Sequence, residues 1–226
     1  KQGNPNSFTI FSGLISSLRS CLRCVYFLPC KQMPGRKLQV VLTDKFPNVE
    51  AFRYLTLQSP DNIRYVSRPV DAMNVPEKLC GVRTIFSAIH HFNSKGVSSI
   101  IADAVRRGQP IAIFDGGNQS VFFALLTLLV YPLLILVLMP FCRPFSWERL
   151  FFTYVVPLVP LCTLWDGTVS ILRLYRPVEL QQIARQVPGA GQYRWESGLL
   201  PHPLGFKITY LTGIPENPSS AAFIKS

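Results

Sequence analysis

From Gly116 to Cys142 the chain carries no charged residue, and nearly every side chain between Val121 and Phe141 is apolar. Such a run is stable only where water is kept from it, in a packed core, a bilayer or a partner interface. As a helix rising about 1.5 Å per residue, Ser120 to Met139 would cover about 30 Å, the thickness of a hydrocarbon core. Pro132 would bend it. A second apolar stretch, Leu150 to Trp165, is shorter and holds Pro157 and Pro160, so it makes a poor full span. Arg143, Glu148 and Arg149 lie between the two stretches, where they would have to reach an interface.

The remainder reads differently. A chain of 226 residues suffices for one well-cored domain with little left for a second. Charged residues make up 15%, against roughly 25% in soluble domains. Aromatics reach 12%, and the mean hydropathy of +0.24 falls between soluble and membrane proteins. The net charge of +11 invites a nucleic-acid reading, but the basic residues are scattered. Several of them, Arg143, Arg149, Arg173 and Arg176 among others, flank the apolar stretches, as suits anionic lipid headgroups. The expected partners are membrane lipids and a hydrophobic small-molecule substrate, with no nucleic acid. Cys21 and Cys24 form half a zinc site with no second half, and the six cysteines show no framework spacing. They read as reduced structural thiols, with no metal expected.

From Leu38 the pattern is regular. Leu38–Thr43 is a β-branched run ending at Asp44, and a helix is expected through Val49–Leu57. Ile63–Val70 reads as a strand ending at Asp71, and Val82–Ile89 as one ending at His90 and His91. Val97–Arg107 has helical spacing, and Pro110–Phe114 is a strand ending at Asp115. Pro177–Val187 reads as an amphipathic helix opened by its proline. Tyr193–Leu200 and Lys207–Thr212 look like a closing antiparallel pair.

Strands alternating with helices imply a doubly wound, Rossmann-like, mostly parallel α/β sheet, here with an antiparallel C-terminal strand and an inserted hydrophobic helical hairpin. Ligands of such sheets lie outside the carboxyl ends of the strands, where Asp44, Asp71, His90 and Asp115 all fall. An acid after the second strand accepts hydrogen bonds from ribose hydroxyls, which is the position of Asp44. An acid after the next strand can accept from an adenine amino group, and Asp71-Ala72 fits. Each aspartate alone is also an ordinary turn residue.

Val40-Val-Leu-Thr-Asp44, Val70-Asp-Ala72, Thr84 to Phe92 and Ile111-Ala-Ile-Phe-Asp115 resemble successive strand-end motifs of the class I S-adenosylmethionine-dependent methyltransferases. The resemblance covers Leu38 to Gly213 without the insertion. It implies S-adenosylmethionine as cofactor, with Asp44 on the ribose, Asp71 and Ala72 beside the adenine, and Ser87, Ala88 and His90 at the methionine end. That family's glycine-rich first loop should precede Asp44 by about twenty residues. The region Cys24–Gly35 holds no Gly-x-Gly, and Gly189-Ala-Gly191 comes too late. Two alternatives follow: first strand and loop lie in missing N-terminal sequence, or this copy binds cofactor poorly.

Methyl transfer rests on in-line placement, and a protonated oxygen or nitrogen nucleophile also needs a base. His90 and His91 are the candidates. Asp115 could bind polar groups of the substrate or simply end its strand. Asp166, in Trp165-Asp-Gly167, could contact substrate or mark a turn that ends a helix; Arg173 could orient substrate or mark the interface. A short-chain dehydrogenase would need Tyr-x-x-x-Lys, and an α/β-hydrolase Gly-x-Ser-x-Gly; neither occurs. The expectation is therefore methyl transfer to a hydrophobic or membrane-associated small-molecule acceptor, the alternative being a degenerate methyltransferase-like membrane-associated scaffold or a truncated non-enzyme. The expected organisation is a divergent segment 1–37, an α/β domain of 38–118 and 166–214, a membrane-associated insertion 119–165 and a flexible tail 215–226. Both ends of the insertion join one sheet, so an odd number of crossings is excluded. A dipping hairpin is favoured, on a protein associated with the membrane from the cytoplasmic side.

Overall fold

The computed structural model describes residues 7–12, 39–116, 121–141, 145–201 and 207–216. They form two compact units, one of residues 1–116 and 175–226 and one of residues 117–174. In the first, strands β1 (Ser7–Ser12), β2 (Gln39–Thr43), β3 (Ile63–Tyr65), β4 (Val82–Phe86), β5 (Ile111–Gly116), β6 (Tyr193–Pro201) and β7 (Lys207–Pro215) make one sheet. Its order is β3-β2-β1-β4-β5-β7-β6, parallel from β3 to β5, with β7 antiparallel to both of its neighbours.

The order corrects one expectation. The first strand is present in the chain, at Ser7–Ser12, and its Thr9 is in register with Val41 of β2 on one side and Arg83 of β4 on the other. Two strands are also shorter than their apolar runs. β3 stops at Tyr65, and Asp71 instead bridges to Asn74. β4 stops at Phe86, because the chain turns at Ser87.

Helices α1 (Val49–Gln58), α2 (Ser94–Arg106) and α6 (Pro177–Arg185) begin where a local acceptor meets an orphan amide. The Asn48 side chain accepts from Ala51 N, and that of Asn93 from Gly96 N. At α6 the Glu179 carboxylate accepts from Arg176 N, with Pro177 at the first helical position. Val97, Ile100, Ile101 and Ala104 of α2 pack with Ile85, Ile111, Ile113, Leu180, Ala184 and Leu211 in the larger core. A smaller core joins Val40, Leu42, Phe52, Ile63 and Phe86, where Phe86 stacks on Phe114.

Inside the sheet lies a buried charge. Arg83 and Asp103 are each 1% exposed, and Arg83 Nη1 donates to Asp103 Oδ2 at 2.7 Å. Arg83 Nε donates to Gln109 Oε1 at 2.6 Å. Val75 N and Arg107 Nε also donate to Asp103, and Arg106 pairs with it from the helix surface. Gln109 Nε2 donates to Leu79 O, and its carbonyl accepts from the Tyr193 hydroxyl. Burial pushes that hydroxyl up to about 12, with Arg83 opposing.

The second unit comprises α3 (Val121–Leu138), a 3-10 turn at Met139–Phe141, and α4 (Trp147–Leu150), which runs into a π-helical turn at Phe151–Val155, followed by α5 (Leu158–Leu172). Segment Trp147–Val155 is bent by 77° from α5. The Tyr154 hydroxyl donates to Leu136 O, tying this segment to α3. Among the described residues no single helix is long and apolar enough to cross a membrane, so a transmembrane helix is not found there as one helix; Trp147–Val155 and Leu158–Leu172, bent at their break, meet the length and composition together. Prolines divide the apolar sequence: Pro140 lies in the 3-10 turn after α3, and Pro157 caps α5. Asp166 and Gly167 lie inside α5 and do not end it.

The buried pair generates a prediction. Burial alone would raise the Asp103 carboxyl, but the hydrogen bond and charge of Arg83, with Val75 N and Arg107, outweigh it and hold it below the ordinary carboxylate range. A depressed carboxyl contributes stability above its unfolded value near ~3.9 and loses it as pH falls through the lower folded value. Asp103→Asn leaves Arg83 buried without a counter-charge and should cost roughly 3–5 kcal/mol at neutral pH in chemical denaturation. The gap between wild type and variant should narrow below about pH 4. A neutral-pH cost under about 1 kcal/mol would show that the pair is not formed.

Candidate functional site

The strand order reverses direction between β1 and β4, and the carboxyl ends of β2, β4 and β5 flank that reversal. After β4, Ser87 adopts φ of +47°, left-handed backbone that a residue with a Cβ rarely enters. Its amide donates to Phe114 O at 2.9 Å, so the turn is tied to β5. Ala88 leads into a 3-10 turn, Ile89–His91, anchored by the fully buried Ile89. The turn closes through the bond from Phe92 N to Ile89 O.

This turn delivers His90 to Asp115. His90 Nδ1 lies 2.9 Å from Asp115 Oδ1 and 3.0 Å from Oδ2, and His90 N donates to Oδ2 at 3.0 Å. The Asp115 side chain is 1% exposed and that of His90 9%. An ionised carboxylate only accepts, so the proton of a neutral imidazole sits on Nδ1 and Nε2 keeps a free lone pair. Asp115 is therefore more than a strand terminus: it orients the ring twice, through side chain and backbone. The exposed His91 stacks at an angle on His90, with ring centroids 4.2 Å apart. The Tyr175 hydroxyl donates to Phe92 O at 2.8 Å, holding the far end of the turn.

Asp44 follows β2. Its Oδ1 accepts from Phe46 N, and its carbonyl accepts from Val70 N. Burial pushes its carboxyl up, against the pull of the Phe46 and Lys45 amides. A half-buried carboxylate with raised proton affinity is under-solvated, and hydroxyl donors of a ligand would relieve it. Asp71 is the reverse case. The Met73 amide, which donates to Oδ1, holds its carboxyl below the ordinary value against burial, and Lys45 Nζ donates to Oδ2 at 3.1 Å. Its carboxylate thus holds a turn, followed by the half-buried Ala72.

Asp44, Asp71, Ala72, Ser87, Ala88, His90, His91 and Asp115 all belong to the first unit. Asp166 and Arg173 belong to the second, where both are exposed, Asp166 within α5 and Arg173 as its C-cap. Sequence reasoning missed the left-handed Ser87, since a serine carries no such signal, and the bond from Tyr175 to Phe92, which joins residues far apart in the chain. It also kept Asp115 and His90 as separate candidates. The region following β1, residues 13–38, lies outside the described residues, and its glycines are Gly13 and Gly35.

No family model matches the chain, and no curated protein does. Solved structures match it in fold. The S-adenosylmethionine-dependent methyltransferase SibL, in its apo form, is 11% identical at a TM-score of 0.53, covering 94% of this chain and 51% of that one. PigF with SAH is 15% identical at a TM-score of 0.50, covering 93% of this chain and 56% of that one. This chain thus spans about half the length of the solved chains it matches. With the strand order, they show the fold of the class I S-adenosylmethionine-dependent methyltransferases, a Rossmann-like mixed sheet.

The left-handed turn is testable through stability. Ser87→Val should destabilise by roughly 1–3 kcal/mol, because a β-branched residue resists this conformation. Ser87→Gly should be neutral or stabilising within about 1 kcal/mol. Equal effects of the two in thermal melts would place Ser87 in ordinary extended or helical backbone.

Proposed function

We propose that this chain, built on the fold of the class I S-adenosylmethionine-dependent methyltransferases, transfers a methyl group to a protic oxygen or nitrogen of a hydrophobic acceptor. One observation carries the reading: a buried His90–Asp115 pair at the carboxyl ends of adjacent strands, beside the reversal of strand order. A base is needed only when the nucleophile has a proton to lose, so the pair argues for a hydroxyl or amine over a thioether or tertiary amine.

The cofactor's chemistry fits the residues present. Asp44, under-solvated at the end of β2, has acceptor capacity for ribose hydroxyls, and the Asp71–Met73 turn offers a surface for adenine. Ser87 and Ala88 would border the methionine end. When bound, S-adenosylmethionine supplies an electrophilic methyl group on a sulfonium centre. His90 accepts the acceptor's proton at Nε2 while Asp115 stabilises the imidazolium through Nδ1–H and keeps the ring aimed. The small residual exposure of His90 limits competing water. His91, tilted against the His90 ring, closes that side of the turn. The hydrophobic acceptor is inferred from composition: the chain carries an apolar unit of its own, residues 117–174.

A second reading, a degenerate scaffold, has its own observation. Between β1 and β2 the sequence offers Gly13 and Gly35 and no Gly-x-Gly, so close backbone approach to a cofactor lacks its usual residues.

Calorimetry of the full chain with S-adenosylmethionine separates the two. The enzyme reading expects binding that Asp44→Ala weakens by about tenfold or more, as loss of a charge-assisted bond should. No binding supports the scaffold. With a panel of phenolic and quinol acceptors, His90→Gln should lower turnover by roughly 10²–10⁴ with cofactor affinity kept. Asp115→Asn should lower kcat at nearly constant KM. Unchanged turnover in His90→Gln would remove His90 as the base.

A further inference from the structure

Among the described residues of the second unit, α3 exposes apolar side chains around most of its circumference. On α3, Leu128, Leu129, Val130, Leu134 and Leu138 are each more than a third exposed. At 3.6 residues per turn they are spread over roughly 280° of the helix circumference. A docking protein, or a second copy of this chain, would cover one stripe of such a helix. A lipid phase covers every side at once.

The bent pair Trp147–Val155 and Leu158–Leu172 shows how the chain would meet that phase. Trp147, Glu148 and Arg149 open it. Phe151, Phe152, Tyr154, Val155 and Val156 follow, each exposed, up to the bend at Pro157. Leu158 to Trp165 then carries no charge, and from Asp166 on, Gly167, Thr168, Ser170 and Arg173 alternate with Val169, Ile171 and the exposed Leu172. Trp147 is 77% exposed and Trp165 75%, each beside the first charge of its arm. Aromatic residues next to charges mark the level of an interface. The apolar arm Leu158–Trp165 is only about 12 Å long, less than half of a 30 Å hydrocarbon core.

We propose that the bend around Val155–Leu158 is a wedge that enters one leaflet of a bilayer, with Trp147 and Trp165 at the headgroup level and Arg149 and Arg173 on anionic headgroups. Asp166 and Glu148 stay outside the hydrocarbon, each near an arginine in sequence. The net charge of +11 adds a general attraction to an anionic surface. This inference does not depend on methyl transfer, since it uses neither the cofactor nor His90.

The test is flotation of the full chain with vesicles of phosphatidylcholine alone or with about 30% phosphatidylserine. The wedge expects flotation that is stronger with phosphatidylserine and weakened by salt. Val155→Asp with Leu158→Asp should lower the partition coefficient by about tenfold or more, since each adds a charge at the apex. Arg149→Glu with Arg173→Glu should weaken the preference for phosphatidylserine several-fold, leaving what the remaining positive charge supplies. All four residues lie at the surface of the second unit or partly within it, and unchanged cofactor calorimetry or thermal melting of the variants confirms the fold. Tryptophan emission should be quenched by acyl-brominated lipid in the wild type and not in the apex variant. No flotation of the wild type, or flotation indifferent to the apex substitutions, would overturn the proposal. So would a vesicle-free dimer in light scattering that the apex substitutions split, which would assign the surface to a second copy.

Discussion

The ion pair of Arg83 and Asp103 constrains more of the first unit than any other interaction. A guanidinium in the interior of a sheet has to be neutralised by whatever helix covers it, because its desolvation penalty amounts to several kcal/mol. Asp103 meets that requirement from the inner face of α2 and so fixes where α2 lies along β4. The consequence reaches the site. The N-cap of α2, Asn93, stands three residues after His90, and the intervening turn has little slack. Register at Asp103 thereby becomes position at His90. The same guanidinium reaches Gln109, whose carbonyl receives the Tyr193 hydroxyl, so β6 is tied to the same point.

How much of this was legible follows from which signals are local. Asp44 and Asp115 stand at strand ends by sequence alone, since a carboxylate after an apolar run marks the edge of the core. Helix α2 declares itself by Val97, Ile100, Ile101 and Ala104 at helical spacing. Arg83 did not, because a charge inside a strand reads as an outward-facing residue, and only a partner twenty residues on makes it inward. β1 was missed for a related reason. Its parallel neighbours lie distant in sequence, and Ser-Phe-Thr-Ile-Phe-Ser is too short to stand out from the apolar and basic residues after it. The coupling of His90 to Asp115 needed the left-handed Ser87, for which serine gives no warning.

The apolar run shows a different limit. Its composition marks residues that favour an apolar environment, and that signal is local. Its length suggested a helix able to span a bilayer, but whether a run spans depends on where the helix breaks. Pro140 follows α3 and Pro157 breaks the second apolar stretch, and the chain folds back within a unit of its own. Hydropathy sets how favourable the apolar environment is, whereas proline placement sets the shape presented to it.

Whether the first unit is a working site or a relic turns on what each reading would need the fold to retain. A scaffold needs its cores, its caps and the Arg83 network, all of which stabilise the sheet directly. It has no use for a left-handed serine, which costs of order 1–3 kcal/mol. Nor does it need a carboxylate at the end of β5 that is sealed from water and aimed at an imidazole, when an apolar residue there would pack without desolvation. Asp44 likewise lies half-buried with its carboxyl raised, a destabilised arrangement in the protein alone. These three features share one edge of one sheet, beside the reversal of strand order. Features that cost stability and converge on the carboxyl edge of a doubly wound sheet favour the proposed site over a scaffold. The glycines missing between β1 and β2 weigh on how tightly a cofactor is held, which is a question of affinity. In the proposed reaction the pair at β4 and β5 would bear on an acceptor's proton, and that question is independent of the first.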